Sequence, residues 1–353
     1  MKEIFKGVKI VELASVLAGP AVGMFFAELG AEVVKIENAT TGGDVTRSWK
    51  LPSENQEELG SAYFSSVNYG KQHVFFDLEK AEDKQKTFDL LRGCDVVISN
   101  FKDTSAARLG VDYARLKAIN PKIIYAQIYG YDADDETPAF DVVLQAETGF
   151  MQMNGERGGK AVKMPVALID ILAAHQLKEG ILIALLQRER TGLGAFVSVS
   201  LYESAVASLA NQATNWLMAG KIPQRIGSEH PNIAPYGDVF ETKDAQEIVL
   251  ACGTERQWKN LCDALNLSDL KTDNLFKTNA LRVQNRQKLV VILRSPILYF
   301  ERDVLLDLLK KNGVPAGAIR TMDDVFKQPL AQGMVLENGE EKRVKTVAFK
   351  INT

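Results

Sequence analysis

The sequence predicts an α/β protein: a mostly parallel sheet with helices on both faces, linked to a smaller α+β domain. Three observations lead there. Short β-branched runs alternate with helix-length runs from Val8 to Tyr129, the rhythm of βαβ units. A stretch rich in Gly, Pro, Ser and Asn, Gly220 to Pro235, then breaks the pattern. Beyond it a hairpin signal precedes three helical patterns rather than alternating with them.

Val8–Leu13 reads as the first strand. Pro20 opens a helix that runs to Leu29, and Gly30 is its stop signal. Ala31–Glu37 is the second strand, and His73–Leu78, Asp95–Asn100 and Lys122–Tyr129 follow. Helices are expected over Ala81–Arg92 and Tyr113–Ile119. Another runs from Ile171 to Arg190, then a strand over Ala195–Leu201 and a long apolar helix over Tyr202–Met218. In the smaller unit Tyr236–Glu241 and Glu247–Ala251 flank a polar turn. Helical patterns cover Glu255–Ala264, Asn279–Leu293 and Glu301–Lys311, and Ala316–Ile319 reads as a short strand.

Composition narrows the function classes. The 353 residues are 46% hydrophobic and 25% charged, with net charge −3. That is an ordinary globular balance, and it gives no electrostatic case for a nucleic-acid or membrane partner. Cys94, Cys252 and Cys262 form no CxxC pattern, and His73, His175 and His230 lie far apart. No disulfide framework, zinc site or other metal site is expected. The N-terminus carries no apolar leader pattern and no apolar run reaches membrane-spanning length; a cytoplasmic protein is expected.

One residue stands out. Asp170 lies in the run Met164-Pro-Val-Ala-Leu-Ile-Asp-Ile-Leu-Ala-Ala174. A carboxylate among aliphatic side chains is paired, capped by backbone N–H groups, or held for chemistry. It stands where the N-cap of the Ile171–Arg190 helix is expected, and the local sequence leaves both roles open. Other signals are individually weak. Ala18-Gly19-Pro20 is a turn with N–H groups facing a possible anion, but the chain has no GxGxxG, Walker A or GxSxG motif. Gly42-Gly43-Asp44-Val45-Thr46-Arg47 is a flexible turn with a cation. Asn100-Phe101 ends a strand ahead of Arg108, a set suited to an adenine nucleotide. Asp132, Asp134, Asp135 and Glu136 form a charge run typical of a solvated loop.

Taken in chain order these signals resemble the family III CoA-transferases (CaiB/BaiF type). The matches are Val11-Glu12-Leu13, Ala18-Gly19-Pro20, Leu29 to Glu37, Gly43 to Arg47, Asn68-Tyr69-Gly70-Lys71 before Asp77-Leu78, Asp95-Val96-Val97 before Asn100-Phe101, Arg108-Leu109-Gly110, Phe140 to Ala146, Asp170 before Gly180-Ile181-Leu182, and Thr191 to Gly194. The resemblance runs from about residue 4 to about residue 350.

The resemblance implies a Rossmann-like large domain for CoA binding and catalysis over residues 1–219, a linker at 220–235, a small α+β domain at 236–330 and a return segment at 331–353. It implies CoA transfer between an acyl-CoA donor and a carboxylic acid acceptor, with Asp170 as the catalytic nucleophile and covalent aspartyl intermediates. Acyl-CoA is then a substrate, and no tightly bound cofactor is expected. By position, Asn38, Phe76, Asn100, Phe101 and Arg108 resemble the CoA nucleotide site, with Arg47 and Lys71 as further phosphate contacts. Val16, Leu17 and Ala18 would lie near the thioester, where backbone N–H groups stabilise an oxyanion. Tyr131 and Asp132 would face the acyl or acceptor group. The family also implies an interlocked homodimer. Two alternatives stand beside this: an α-methylacyl-CoA racemase, and a non-catalytic CoA-binding protein. The racemase needs a histidine where this chain has Phe140, although Glu255 matches its acid. Donor and acceptor acids are not fixed by the sequence.

Overall fold

The computed structural model of the chain describes residues 3–338 and 341–352. They form two compact units. The first takes in residues up to Gln152, Val162–Pro223 and the stretch from Gly333 onward. The second takes in Met153–Ala161 and Gln224–Gln332.

The first unit is built on six parallel strands: β1 (Lys9–Glu12), β2 (Glu32–Asn38), β3 (Gln72–Phe76), β4 (Val96–Ser99), β5 (Ile124–Tyr129) and β6 (Ala195–Ser200). Their spatial order is β3-β2-β1-β4-β5-β6. Chain order reverses between β1 and β4, and the crevice at the strand ends there is where such sheets bind ligands. Val11 is paired with Val34 on one side and Val97 on the other.

Alternate strand residues face opposite sides. Ile10, Val96, Ile98, Ile124 and Ala126 meet the helices α1 (Ala18–Glu28) and α6 (Leu168–Thr191). Val11, Val97 and Tyr125 face the other layer, formed by α2 (Ala81–Arg92), α3 (Asp103–Leu109) and α4 (Tyr113–Ile119). Helix α1 is apolar nearly throughout because Ala18 to Phe26 are all buried. Each large side chain in it, such as Met24 or Phe26, contributes about 1.5–3 kcal/mol by leaving water.

Further elements of this unit include α5 (Asp141–Glu147), α7 (Leu201–Ala207), α8 (Ala210–Ala219) and a hairpin, β10 (Val335–Asn338) and β11 (Glu341–Val344). The single helix expected over Tyr202–Met218 is two, with Ala210 at φ 47 marking the break.

The second unit has a three-stranded antiparallel sheet, β7 (Tyr236–Glu241), β8 (Glu247–Ala251) and β9 (Ala316–Ala318), in that spatial order. Helices α9 (Glu255–Ala264), α10 (Asn279–Gln284), α11 (Arg286–Ile297) and α12 (Arg302–Lys311) accompany it. Trp258, Leu261, Leu289 and Leu305 fill its core. The helix expected over Asn279–Leu293 is interrupted at Asn285, whose side-chain amide donates to the Leu281 carbonyl at 2.9 Å. Such a bond competes with the helical ladder. Among the described residues no helix is long and apolar enough to cross a membrane.

Candidate active site

Asp170 is not an N-cap. Helix α6 begins at Leu168, and its N-cap residue, Ala167, offers no side-chain bond. The cap comes from another helix: Asp141, the first residue of α5, accepts from the Ile169 N–H at 2.7 Å. The other Asp141 oxygen accepts from Gln145 Nε2 at 2.6 Å, and Gln145 Oε1 accepts from the Met164 N–H at 2.8 Å. Asp170 is thereby freed from capping.

The Asp170 side chain lines a cavity of about 320 Å³ at the carboxyl ends of β1, β4 and β5. Val16, Leu17 and Ala18 line it, as do Asn100, Tyr129 and Asp141. Asp170 is 7% exposed. Its carboxyl is pushed up to about 7, first by burial and second by the charge of Asp141. A position in the first turn of a helix normally lowers a carboxyl; here burial wins. Tyr63 is a neighbour that sequence reasoning missed. Its phenol is pushed up to about 12, first by burial and then by the charges of Asp170, Asp141 and Asp44. Tyr63 also packs edge-on against Trp49, with centroids 5.1 Å apart. Only the electrostatics of the folded chain reveal it, since nothing in the Tyr63 sequence context marks chemistry.

A second cavity, of about 410 Å³, lies on the other side of the reversal point, at the ends of β1, β2, β3 and β4. Leu13, Ile36, Phe76, Phe101 and Leu109 give it apolar walls. Asn38 and Arg108 stand among its polar residues. The Arg108 guanidinium is paired with Glu79 at the surface.

Four of the seven residues expected at a nucleotide site, Asn38, Phe76, Phe101 and Arg108, are thus brought together. Asn100 falls in the first cavity instead, and its amide is spent on the β1 loop. Its Oδ1 accepts from the Ser15 N–H and its Nδ2 donates to the Ser15 carbonyl, both at 3.2 Å. Arg47 lines neither cavity. It is held by Glu37 through Nε at 2.7 Å and Nη2 at 2.6 Å, donates to the Leu59 carbonyl, and stacks 3.7 Å over the Phe64 ring. Lys71 is further from the expectation. Its side chain is buried, ion-paired with Glu12 at 2.8 Å and bonded to the Pro20 carbonyl and Asn68. An ammonium so committed has no donor left for a phosphate.

Val16, Leu17 and Ala18 do line the cavity with Asp170, but the Val16 N–H is taken by Asp44, at 3.1 Å. Among the described residues, the free donors in this loop are those of the α1 N-terminus, which the helix ladder leaves unpaired. Tyr131 and Asp132 do not line the cavity, though Gly130 and Ala133 do. Tyr131 Oη donates to Glu147 at 2.5 Å, and Asp132 accepts from the Ala133 N–H at 2.7 Å.

The profile of CoA-transferase family III matches residues 5–353. A succinate–glutarate CoA-transferase of Agrobacterium fabrum is 36% identical, over 100% of this chain and 89% of that protein. The mouse succinyl-CoA:glutarate CoA-transferase is 36% identical, over 94% of this chain and 76% of that protein. A crystal structure of a CaiB/BaiF family protein from Brucella suis is 37% identical, with a TM-score of 0.87 over 99% of this chain and 93% of that one.

Proposed function

The chain belongs to CoA-transferase family III, and from that premise we propose that Asp170 is the nucleophile through which it transfers CoA between two carboxylic acids. The observation that carries this is a buried carboxylate with no charge partner of opposite sign among the described residues, opening into a cavity at the sheet's reversal point. A group whose ionised form is raised in energy by burial is a stronger nucleophile than a solvated carboxylate, and its thioester partner needs little further activation.

The steps balance without an external co-reactant. The Asp170 carboxylate attacks the thioester carbonyl and expels the CoA thiolate, leaving an aspartyl–acyl anhydride. The thiolate attacks the Asp170 carbonyl carbon, releases the donor acid and leaves an aspartyl–CoA thioester. The acceptor carboxylate then repeats these two steps in reverse order, which frees Asp170. Amides at the start of α1 would stabilise the oxyanions. The second cavity would take the CoA nucleotide, its adenine between Phe76 and Phe101 and its phosphates toward Arg108. The relatives named above act on succinate and glutarate, so short dicarboxylic acids are the proposed donor and acceptor class.

The isomerase alternative is weaker. It needs a second proton carrier beside Asp141, and the cavity offers Phe140 there. Glu255, its other acid, is engaged by Arg282 at 2.7 Å. We also propose a homodimer. Ile183 and Leu186 of α6 and Leu217 and Met218 of α8 are exposed apolar side chains that a partner subunit would cover; a monomeric mass by light scattering at micromolar concentration counts against it.

The test of function is trapping. Succinyl-CoA is mixed with the protein and quenched with hydroxylamine, and peptides are mapped by mass spectrometry. A hydroxamate at Asp170 is expected, together with glutaryl-CoA when glutarate is added. CoA exchange with no label at Asp170 would overturn the mechanism while leaving the family assignment in place.

A further inference from the structure

Four charged side chains are buried under the β1–α1 joint, and the reaction steps above use none of them. They are Glu12, Lys35, Asp44 and Lys71, each with a side chain no more than 1% exposed. Lys35 bridges Glu12 at 2.9 Å and Asp44 at 3.0 Å, and Lys71 reaches Glu12 at 2.8 Å. Buried ion pairs are poor stabilisers, because desolvation offsets the Coulomb gain. A cluster of four calls for a second reason.

The reason lies in what the same atoms hold. Lys35 Nζ donates to the Ala14 carbonyl at 2.6 Å. Asp44 accepts from the Val16 N–H at 3.1 Å. Lys71 Nζ donates to the Pro20 carbonyl at 2.9 Å. These three backbone groups bracket the stretch that lines the cavity with Asp170. Within it Val16 has φ 73, a left-handed conformation that a β-branched residue adopts only when its surroundings impose it. The joint is also shaped around the cluster. A Cβ on Gly23 would stand 1.9 Å from Glu12 Oε2, and one on Gly19 would stand 2.3 Å from the Ala14 Cβ. Asp44 is itself fixed by Thr46, whose N–H and Oγ1 donate to its Oδ1 at 3.0 and 2.8 Å.

We propose that Glu12, Lys35, Asp44 and Lys71 are positioning residues that clamp the Ala14–Pro20 backbone and force the left-handed turn at Val16, so that the amides opening α1 face the carbonyl attacked by Asp170. Asp44 is the working end, since it holds Val16 directly. Lys35 pairs with it directly, and Glu12 and Lys71 extend the ion-pair network behind Lys35. This rests on the transferase reading.

The turn makes the proposal testable. Glycine adopts a positive φ without strain, so it lowers the demand for a clamp. Asp44→Asn, Val16→Gly and the double variant are compared with wild type. The readouts are kcat, KM for succinyl-CoA, and the rate of Asp170 acylation by mass spectrometry. In the Val16 background Asp44→Asn is expected to lower kcat by about 30-fold or more with KM within about 3-fold, as for a group acting only on the transition state. In the Val16→Gly background the same change is expected to cost less than about 5-fold, a coupling between adjoining sites. Equal losses in both backgrounds, no loss at all, or a loss confined to KM overturns the clamp. If Asp44→Asn does not fold, Thr46→Val takes its place, since it removes the 2.8 Å bond to Asp44 Oδ1. Its loss too must shrink with Val16→Gly, and an equal loss in both backgrounds overturns the proposal. Failure of the transferase reading is seen separately, as wild type that neither transfers CoA nor labels Asp170.

Discussion

Replacing Asp170 by asparagine should abolish transfer and, at neutral pH and above, make the protein more stable. The substitution keeps the shape and removes the charge. Burial and Asp141 raise the Asp170 carboxyl from 3.8 to about 7. That is about 3 units, and at about 1.4 kcal/mol per unit the ionised residue destabilises the fold by at most about 4 kcal/mol. The sign follows from proton binding. Between the unfolded value near 3.8 and the folded value near 7, the native state holds a proton that the unfolded state has lost. Wild-type stability therefore falls as pH rises through that window, and levels off above it. Asp170→Asn has no such group. The two proteins should be equally stable near pH 4 and should diverge up to about pH 7, with the variant more stable at pH 8. Denaturant titrations at pH 4, 6 and 8 measure this, alongside succinyl-CoA turnover. A variant that is no more stable at pH 8 than at pH 4, relative to wild type, refutes the strained carboxylate. Near-normal turnover in Asp170→Asn refutes the nucleophile.

Arg108→Ala should raise the KM for acyl-CoA by about 10-fold and leave kcat nearly unchanged, because a phosphate contact is the same in ground and transition states; an unchanged KM removes Arg108 from the nucleotide site. Asp141→Asn keeps an acceptor for the Ile169 N–H but removes the charge that helps raise Asp170, so the acid limb of kcat/KM should move to lower pH; an unmoved limb leaves burial as the whole cause. Gly23→Ala should cost about 2–3 kcal/mol in denaturant unfolding, since its Cβ would overlap Glu12 Oε2 within the buried charge cluster; a neutral effect would show that the joint has slack.

Local residue patterns carried much of this molecule. The βαβ rhythm appears in six parallel strands, all within a residue or two of the expected runs, because period-two burial is written in adjacent residues such as Ile10 and Val11. Gly30, expected as the stop after the first helix, has φ 96. The apolar run around Asp170 marked a carboxylate that is paired, capped or held for chemistry. Phe76, Phe101, Asn38 and Arg108 end neighbouring strands or follow them, and strand ends converge in a parallel sheet.

Tertiary structure alone decided how the charges are spent. By the family resemblance Lys71 is expected as a further phosphate contact. In the fold it is paired with Glu12, 59 residues away, under α1. Arg47 is likewise consumed by Glu37. Asp170 looked like the cap of its own helix, but Asp141, 28 residues before Ile169 in the chain, does the capping. The cause is common to all three. A side chain's propensity and its burial period are properties of neighbouring residues, so they can be read locally. The partner of a charge is chosen by the chain's path through space, and that partner decides whether the charge binds a ligand, holds a loop or is left unpaired to do chemistry.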